Sequence, residues 1–316
     1  MPDQLPSKQD LIDVQNRIAP FVHRTPVLTS QTLNGFTGAQ LFFKCENLQK
    51  MGAFKMRGAA NAVASLTEEQ KQKGVVTHSS GNFAQAVALA AKAANISAFI
   101  VMPNTAPKVK VAAVKEYGGQ VTISGPTLKD REEATKKIIT ATGARFLHPS
   151  NQLEVILGQG TAAIELLEDV PDLDAIITPV GGGGLLAGSA LAAHHFGMDC
   201  NVYAGEPANA DDAYRALRSG KIETNHKVNT VADGLKTQLG DVNFPIILQL
   251  VDDIFLVSEA EIIAAMRHIW ERMKIIVEPS SAVAFAAVLK NTTVFKDKKV
   301  GIVISGGNVD LSNLPF

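Results

Sequence analysis

Short apolar or β-branched runs alternate along the chain with longer segments whose apolar residues recur at spacings of three and four. The runs Gln40–Cys45, Val75–His78, Ser97–Met102, Gln120–Ser124, Ala144–His148, Ala175–Val180, Asn201–Gly205, Ile254–Val257 and Val300–Ser305 predict strands. The segments Phe83–Ala94, Lys108–Tyr117, Leu128–Thr142, Leu185–His195, Glu259–Met273 and Ser280–Leu289 predict helices. This order predicts an α/β protein with open, twisted, mainly parallel sheets flanked by helices. Four strand-helix units between about Lys55 and His148 suffice for one sheet and the later units for another. We expect a small domain over residues 51–148, a large one over residues 1–50 plus 149–316, and a ligand in the cleft between them.

Composition narrows the partners. The 316 residues are 46% hydrophobic and 19% charged, which is enough apolar mass for two packed domains and unlike a disordered chain. With 30 basic and 31 acidic residues there is no net field to hold a polyanion or an anionic bilayer, so neither nucleic acid nor membrane is an expected partner. Residues Ala175–Ala193 are uncharged, but Pro179, four consecutive glycines and Ser189 make them strand, loop and helix rather than a membrane span. Cys45 and Cys200 are too few and too far apart for a disulfide framework. Together with an N-terminus lacking a basic start and apolar run, they point to a reducing, cytoplasmic setting.

Three turns follow strands, and the first two open helices. Gly181-Gly182-Gly183-Gly184 offers backbone amides without Cβ atoms at the positive end of a helix dipole, which suits a lone phosphate or a tightly packed turn. The dinucleotide pattern G-x-G-x-x-G and a Walker lysine are both missing. His78-Ser79-Ser80-Gly81-Asn82 suits a helix cap or a carboxylate seat, and Ser305-Gly306-Gly307-Asn308 places a hydroxyl at a strand end. Lys55 lies among apolar neighbours with Arg57 two residues on. Desolvation beside a second cation would lower its pKa and suit it to Schiff-base chemistry. Glu206 and Asp212, six residues apart, are hard oxygen donors for a divalent cation, or simply an acidic helix start.

These motifs, with Phe42 to Lys50 and Gly52 to Gly58, resemble the fold type II pyridoxal-phosphate enzymes over nearly the whole chain. Among them the chain is most similar to serine racemases and single-domain threonine/serine dehydratases. The resemblance implies that Lys55 holds pyridoxal 5'-phosphate and moves the Cα proton, while Phe54 packs against the ring. Asn82 would bond its 3-oxygen, Gly181, Gly182, Gly183 and Gly184 its phosphate, and Ser305 its ring nitrogen; Gly234 would touch it through the backbone. Ser79, Ser80 and Asn82 would seat the substrate carboxylate, with Ser80 as acid on the far face. Glu206, the carbonyl of Ala210 and Asp212 would bind Mg²⁺, Mn²⁺ or Ca²⁺, and Arg131 would stand at the mouth of the site. The implied activity is dehydration and deamination of L-serine, L-threonine or threo-3-hydroxyaspartate by a homodimer, with serine racemisation beside it. A primary racemase, a β-replacement synthase and a non-catalytic phosphometabolite binder are the alternatives. Two positions depart from the pattern: Phe83 stands where relatives usually carry His, and Ser150 where serine racemases have Asn.

Overall fold

The computed structural model describes residues 5–106, 108–225 and 227–316. Its strands are β1 (Val27–Leu28), β2 (Gln40–Cys45), β3 (Val75–His78), β4 (Ala98–Pro103), β5 (Gln120–Ser124), β6 (Arg145–Phe146), β7 (Ala175–Pro179), β8 (Asn201–Pro207), β9 (Asp253–Val257) and β10 (Lys299–Ile304). They form a six-stranded sheet, β1-β2-β10-β7-β8-β9, and a four-stranded sheet, β5-β4-β3-β6. All pairs are parallel except β1 with β2. Every residue of β7 is buried, as a strand covered on both faces requires.

Helix starts follow local chemistry. Ser7 with Asp10, Thr67 with Gln70, Thr127 with Asp130 and Ser258 with Glu261 each form a capping box, satisfying amides that the first turn leaves unpaired. One continuous apolar core runs from beneath the large sheet, through Ile164, Leu186 and Leu191, to the small sheet at Val75, Phe83 and Ile100. A second core lies against the opposite face of the large sheet, around Phe43, Ile269, Val283 and Phe285.

Two differences from the sequence expectation have local causes. The strand foreseen over Ala144–His148 shrinks to Arg145–Phe146, because His148 turns the chain out of the sheet. The His148 ring Nδ1 accepts the amides of Ser150 at 3.2 Å and Asn151 at 2.8 Å, and Pro149 follows. The helices Lys55–Ala64 and Leu153–Asp169 lie outside the foreseen set. Their glycines obscure the helical pattern yet permit close packing. A side-chain carbon on Gly58 would stand 2.8 Å from the Val155 carbonyl, and one on Gly160 would stand 2.6 Å from that of Gly188.

Candidate active site

The three turns singled out in the sequence all leave the carboxyl ends of parallel strands: β3 leads to Ser79, β7 to the glycine turn and β10 to Ser305. That is the end at which open α/β sheets bind ligands. The segment before Lys55 is stitched to the turn after β10. Ala53 pairs with Gly306 in an isolated bridge, the Phe54 amide donates to the Ser305 carbonyl at 3.0 Å, and the Gly307 amide donates to the Gly52 carbonyl at 2.9 Å. Lys55 therefore opens its helix beside Ser305.

The Lys55 Nζ donates to the Pro149 carbonyl at 2.7 Å and lies 4.9 Å from the Phe54 ring centroid and 5.7 Å from that of Phe83. Among the described residues it forms no ion pair. Crowding by protein lowers its pKa to about 8, with the Glu278 charge acting in the opposite sense. Arg57 does not contribute as the sequence suggested. Its guanidinium turns away into the core, with Nε 2.7 Å from Glu46 Oε2 and Nη1 2.7 Å from Glu165 Oε1. Lys44, also fully buried, pairs with Glu165 at 2.7 Å and donates to the Thr25 carbonyl at 2.6 Å. Two cations and two carboxylates thus neutralise one another beneath the site.

Asn82 is the first residue of the helix Asn82–Ala93, whose cap residue is Gly81 and whose start has no side-chain cap bond. The hydroxyls of Ser79 and Ser80 are not spent on capping the helix; Ser79 Oγ accepts only a long bond, 3.3 Å, from the Gly81 amide. The Asn82 amide donates to both Glu278 oxygens, at 3.0 and 3.1 Å, and its carbonyl accepts from Asn308 at 3.0 Å. Ser305 Oγ, almost fully buried, lies 2.9 Å from Ser281 Oγ, which is itself 2.6 Å from both the amide and the carbonyl of Gly306. Gly234 donates its amide to Ser280 Oγ at 3.0 Å.

Gly183 adopts φ +79°, a left-handed conformation that favours glycine, and caps the helix Gly184–Phe196 without a side-chain bond. The other glycines are demanded by packing as well. A side-chain carbon on Gly181 would stand 2.7 Å from the Leu235 Cα, and one on Gly184 2.9 Å from the Ser150 carbonyl. Asn243 ties the turn to that segment, donating to the carbonyls of Gly182 at 2.8 Å and Ser150 at 3.1 Å. Free amides at a helix start, an amine of lowered pKa and hydroxyl and carboxamide groups beside it fit a phosphorylated aldehyde cofactor.

Sequence reasoning missed Glu278, together with Ser281 and Asn243. Glu278 is buried, and burial, followed by the Asp233 charge, raises its pKa to about 7. It stands among four sequence motifs: bonded to Asn82, felt by Lys55, close to Gly234 and joined through its amide to the Gly306 carbonyl at 3.1 Å. The only local signal is its place before Pro279, at the start of the helix Pro279–Lys290, where an acidic residue reads simply as helix chemistry.

Arg131 is not drawn into this cluster. On the helix Leu128–Thr142, its Nε makes one long bond, 3.5 Å, to the Thr127 carbonyl, and its charge acts on His78. An open cavity of about 580 Å³ lies alongside, lined by residues including His78, Glu132, Lys136, Phe146 and His148. Glu206, fully buried, accepts the amides of Ala213 at 2.9 Å and Tyr214 at 2.7 Å at the start of the helix Asp212–Ser219. Burial raises its pKa to about 9 and that of Asp212 to about 6. Ala210 is buried between them in sequence. Among the described residues no three His, Cys, Asp or Glu side chains gather as metal ligands. No helix among them is long and apolar enough to cross a membrane.

The family model described as "Pyridoxal-phosphate dependent enzyme" matches residues 18–306. A serine racemase of Dictyostelium discoideum is 53% identical over 312 residues, covering 97% of this chain and 96% of its own. A beta-hydroxyaspartate dehydratase of Paracoccus denitrificans is 47% identical, covering 99% of each. The solved structure of the Dictyostelium discoideum serine racemase superposes with a TM-score of 0.92 at 52% identity, covering 96% of this chain and 98% of that one. The chain therefore belongs to the fold type II pyridoxal-phosphate-dependent enzymes, in the group that holds serine racemases and hydroxyaspartate dehydratases.

Proposed function

We propose that this enzyme deaminates small 3-hydroxy amino acids, L-serine, L-threonine or L-threo-3-hydroxyaspartate, by loss of the β-hydroxyl as water and return of water on hydrolysis of the released enamine, a net release of ammonia that gives 2-oxo acids, with serine racemisation as a companion activity. The observation that carries this reading is the state of Lys55: an amine without a carboxylate partner among the described residues, with its pKa lowered to about 8, beside Ser305 and near two phenyl rings. Pyridoxal phosphate, when bound, supplies an electron-poor ring that accepts charge from Cα. Lys55 would hold it covalently, with Phe54 against the ring and Gly234 touching it through the backbone. Gly181–Gly184 would hold its phosphate, Asn82 its ring oxygen and Ser305 its ring nitrogen.

Lys55, with a pKa close to working pH, can take a proton from Cα and return it. The uncapped start of the helix Asn82–Ala93, with Ser79 and Ser80, is suited to the substrate carboxylate. Ser80 Oγ is our candidate acid on the opposite face. A hydroxyl at position 305 would not hold a ring nitrogen protonated as a carboxylate would, which would make the ring a weaker electron sink and favour prompt loss of the β-hydroxyl. Relatives named for racemisation and for dehydration match at similar identity, 53% and 47%, which supports both activities in one site.

The same reading includes a divalent cation, Mg²⁺, Mn²⁺ or Ca²⁺, on Glu206, the Ala210 carbonyl, Asp212 and water. Two buried carboxylates raised in pKa, with neither in an ion pair among the described residues, fit such a charge. We also propose the domain division at residues 51–148 and a homodimer. The test is a product assay on serine enantiomers, threonine and hydroxyaspartate isomers. We expect equal amounts of 2-oxo acid and ammonia, with an absorbance band at about 410–420 nm that borohydride bleaches. Enantiomer exchange without ammonia would make the enzyme primarily a racemase and overturn the dehydratase reading.

A further inference from the structure

One hydroxyl saturates the turn that follows β10. Ser281, on the helix Pro279–Lys290, is fully buried and stands within hydrogen-bond distance of three groups: the Gly306 carbonyl at 2.6 Å, the Gly306 amide at 2.6 Å and Ser305 Oγ at 2.9 Å. A hydroxyl has one hydrogen to donate and two lone pairs with which to accept. The carbonyl can only accept, so the Ser281 hydrogen goes to it, and the amide can only donate, so it fills one lone pair. The remaining lone pair faces Ser305 Oγ, which must therefore be the donor. Each of the three contacts then holds one hydrogen, and the hydrogen of Ser305 is spent. Turning it elsewhere would set lone pair against lone pair at 2.9 Å or pull Ser281 from the Gly306 carbonyl. Among the described residues Ser305 Oγ has no second hydrogen-bond partner, so its own lone pairs are what it offers to a ligand.

We propose that Ser281 is a positioning residue that makes Ser305 an acceptor toward the ring nitrogen of the cofactor, and so raises that nitrogen's affinity for a proton above what a freely turning serine would give. The inference rests on the pyridoxal phosphate reading above and concerns one atom of it. A serine free to turn can donate to a bare nitrogen or accept from a protonated one. With its hydrogen held by Ser281 it can only accept, which favours the protonated form. The effect is weaker than a carboxylate's, because the acceptor is neutral. A protonated ring nitrogen draws more charge from Cα and lets it last longer. Ser281 thereby moves the balance away from prompt loss of the β-hydroxyl and toward return of the proton, from deamination toward racemisation.

Ser281→Ala in the holoenzyme, with the ring nitrogen of pyridoxal phosphate isotopically labelled for magnetic resonance, is the test. In the wild type the resonance should report a nitrogen that carries a proton over part of the pH range of the folded protein. In Ser281→Ala the midpoint of that change should fall by about half a pH unit to one pH unit, the worth of one hydrogen bond. The ratio of serine racemisation to deamination should fall about threefold to tenfold with it. Ser281→Thr, which keeps the hydroxyl, should restore both. Ser281→Ala also leaves the Gly306 amide unpaired, so a lower melting temperature alone records the structural part of the change. A lower melting temperature with an unmoved midpoint would make Ser281 a staple for the turn and overturn the proposal, as would a wild-type nitrogen that is bare at every pH. Should Ser281→Ala not fold, Ser305→Ala removes the acceptor itself and should lower the midpoint at least as far; an unmoved or raised midpoint would overturn the proposal. A wild type that forms no borohydride-sensitive band would instead overturn the cofactor reading itself.

Discussion

Lys55 and Arg57 stand two residues apart on one helical turn, and the fold treats their charges in opposite ways. Arg57 is surrounded by the carboxylates of Glu46 and Glu165 and, with Lys44, forms a neutral set sealed in the core. Lys55 has a carbonyl and two phenyl rings, and its pKa falls to about 8. A compensated buried charge is inert and its value is positional: it anchors the turn on which the lysine stands. An uncompensated one has its proton loosened and is available for chemistry. The same division separates the carboxylates, with Glu46 and Glu165 paired and Glu206 and Glu278 raised in pKa by burial.

The strongest way to break this comparison is Lys55→Ala. It should lower turnover at least about a thousandfold and abolish the borohydride-sensitive band, while the melting temperature of the stripped protein changes little. Retained turnover, or collapse of the fold, would end the distinction. Arg57→Ala should do the reverse. Leaving two buried carboxylates with Lys44 alone should cost about 3–5 kcal/mol in urea unfolding, and adding Glu46→Gln should recover part of it.

Arg131 sharpens the comparison as a cation that, among the described residues, is neither sealed nor neutralised, its side chain bonded only at 3.5 Å to the Thr127 carbonyl. If it clamps the second carboxylate of hydroxyaspartate, Arg131→Ala should lower kcat/KM for that substrate by about 2–3 kcal/mol more than for threonine. Equal losses would leave Arg131 without a part in specificity.

The smallest effect concerns Glu206. With no cation bound, its folded pKa of about 9 lies above the ordinary value of 4.5. Between those values the folded state keeps a proton that the unfolded state has released, so stability is greatest at the acid end and falls as pH rises. Melting temperature should therefore decline from about pH 5 to pH 9 under chelation, and Mg²⁺, Mn²⁺ or Ca²⁺ should restore about 1–3 kcal/mol and flatten the slope. Glu206→Gln should lose most of that slope and be indifferent to the cation; a wild type unaffected by chelator would remove the metal from the proposal.

Much of the architecture was legible because it is local. Periodicity revealed the alternation of strands and helices, and the glycine turn stood out because Gly183 needs a positive φ that glycine supplies. The helix Leu153–Asp169 was overlooked because Gly158 and Gly160 dilute its pattern for the sake of a close crossing that appears only in the fold. Sequence proximity alone makes Arg57 the perturber of Lys55, because it says nothing of direction; the fold turns the guanidinium to Glu46 and Glu165. Glu278 was missed because its partner Asn82 lies 196 residues away.

By itself, then, the sequence determined the α/β class, the order of the turns that follow strands, and the ionisable residues available to a site, since these depend on side-chain period and on backbone freedom over a few neighbouring residues. Only the tertiary structure decided which of those charges are neutralised and which are left reactive. The contacts that settle it, Lys55 to Pro149 across 94 residues and Arg57 to Glu165 across 108, arise when the chain is packed, and removal from water then sets each proton's affinity.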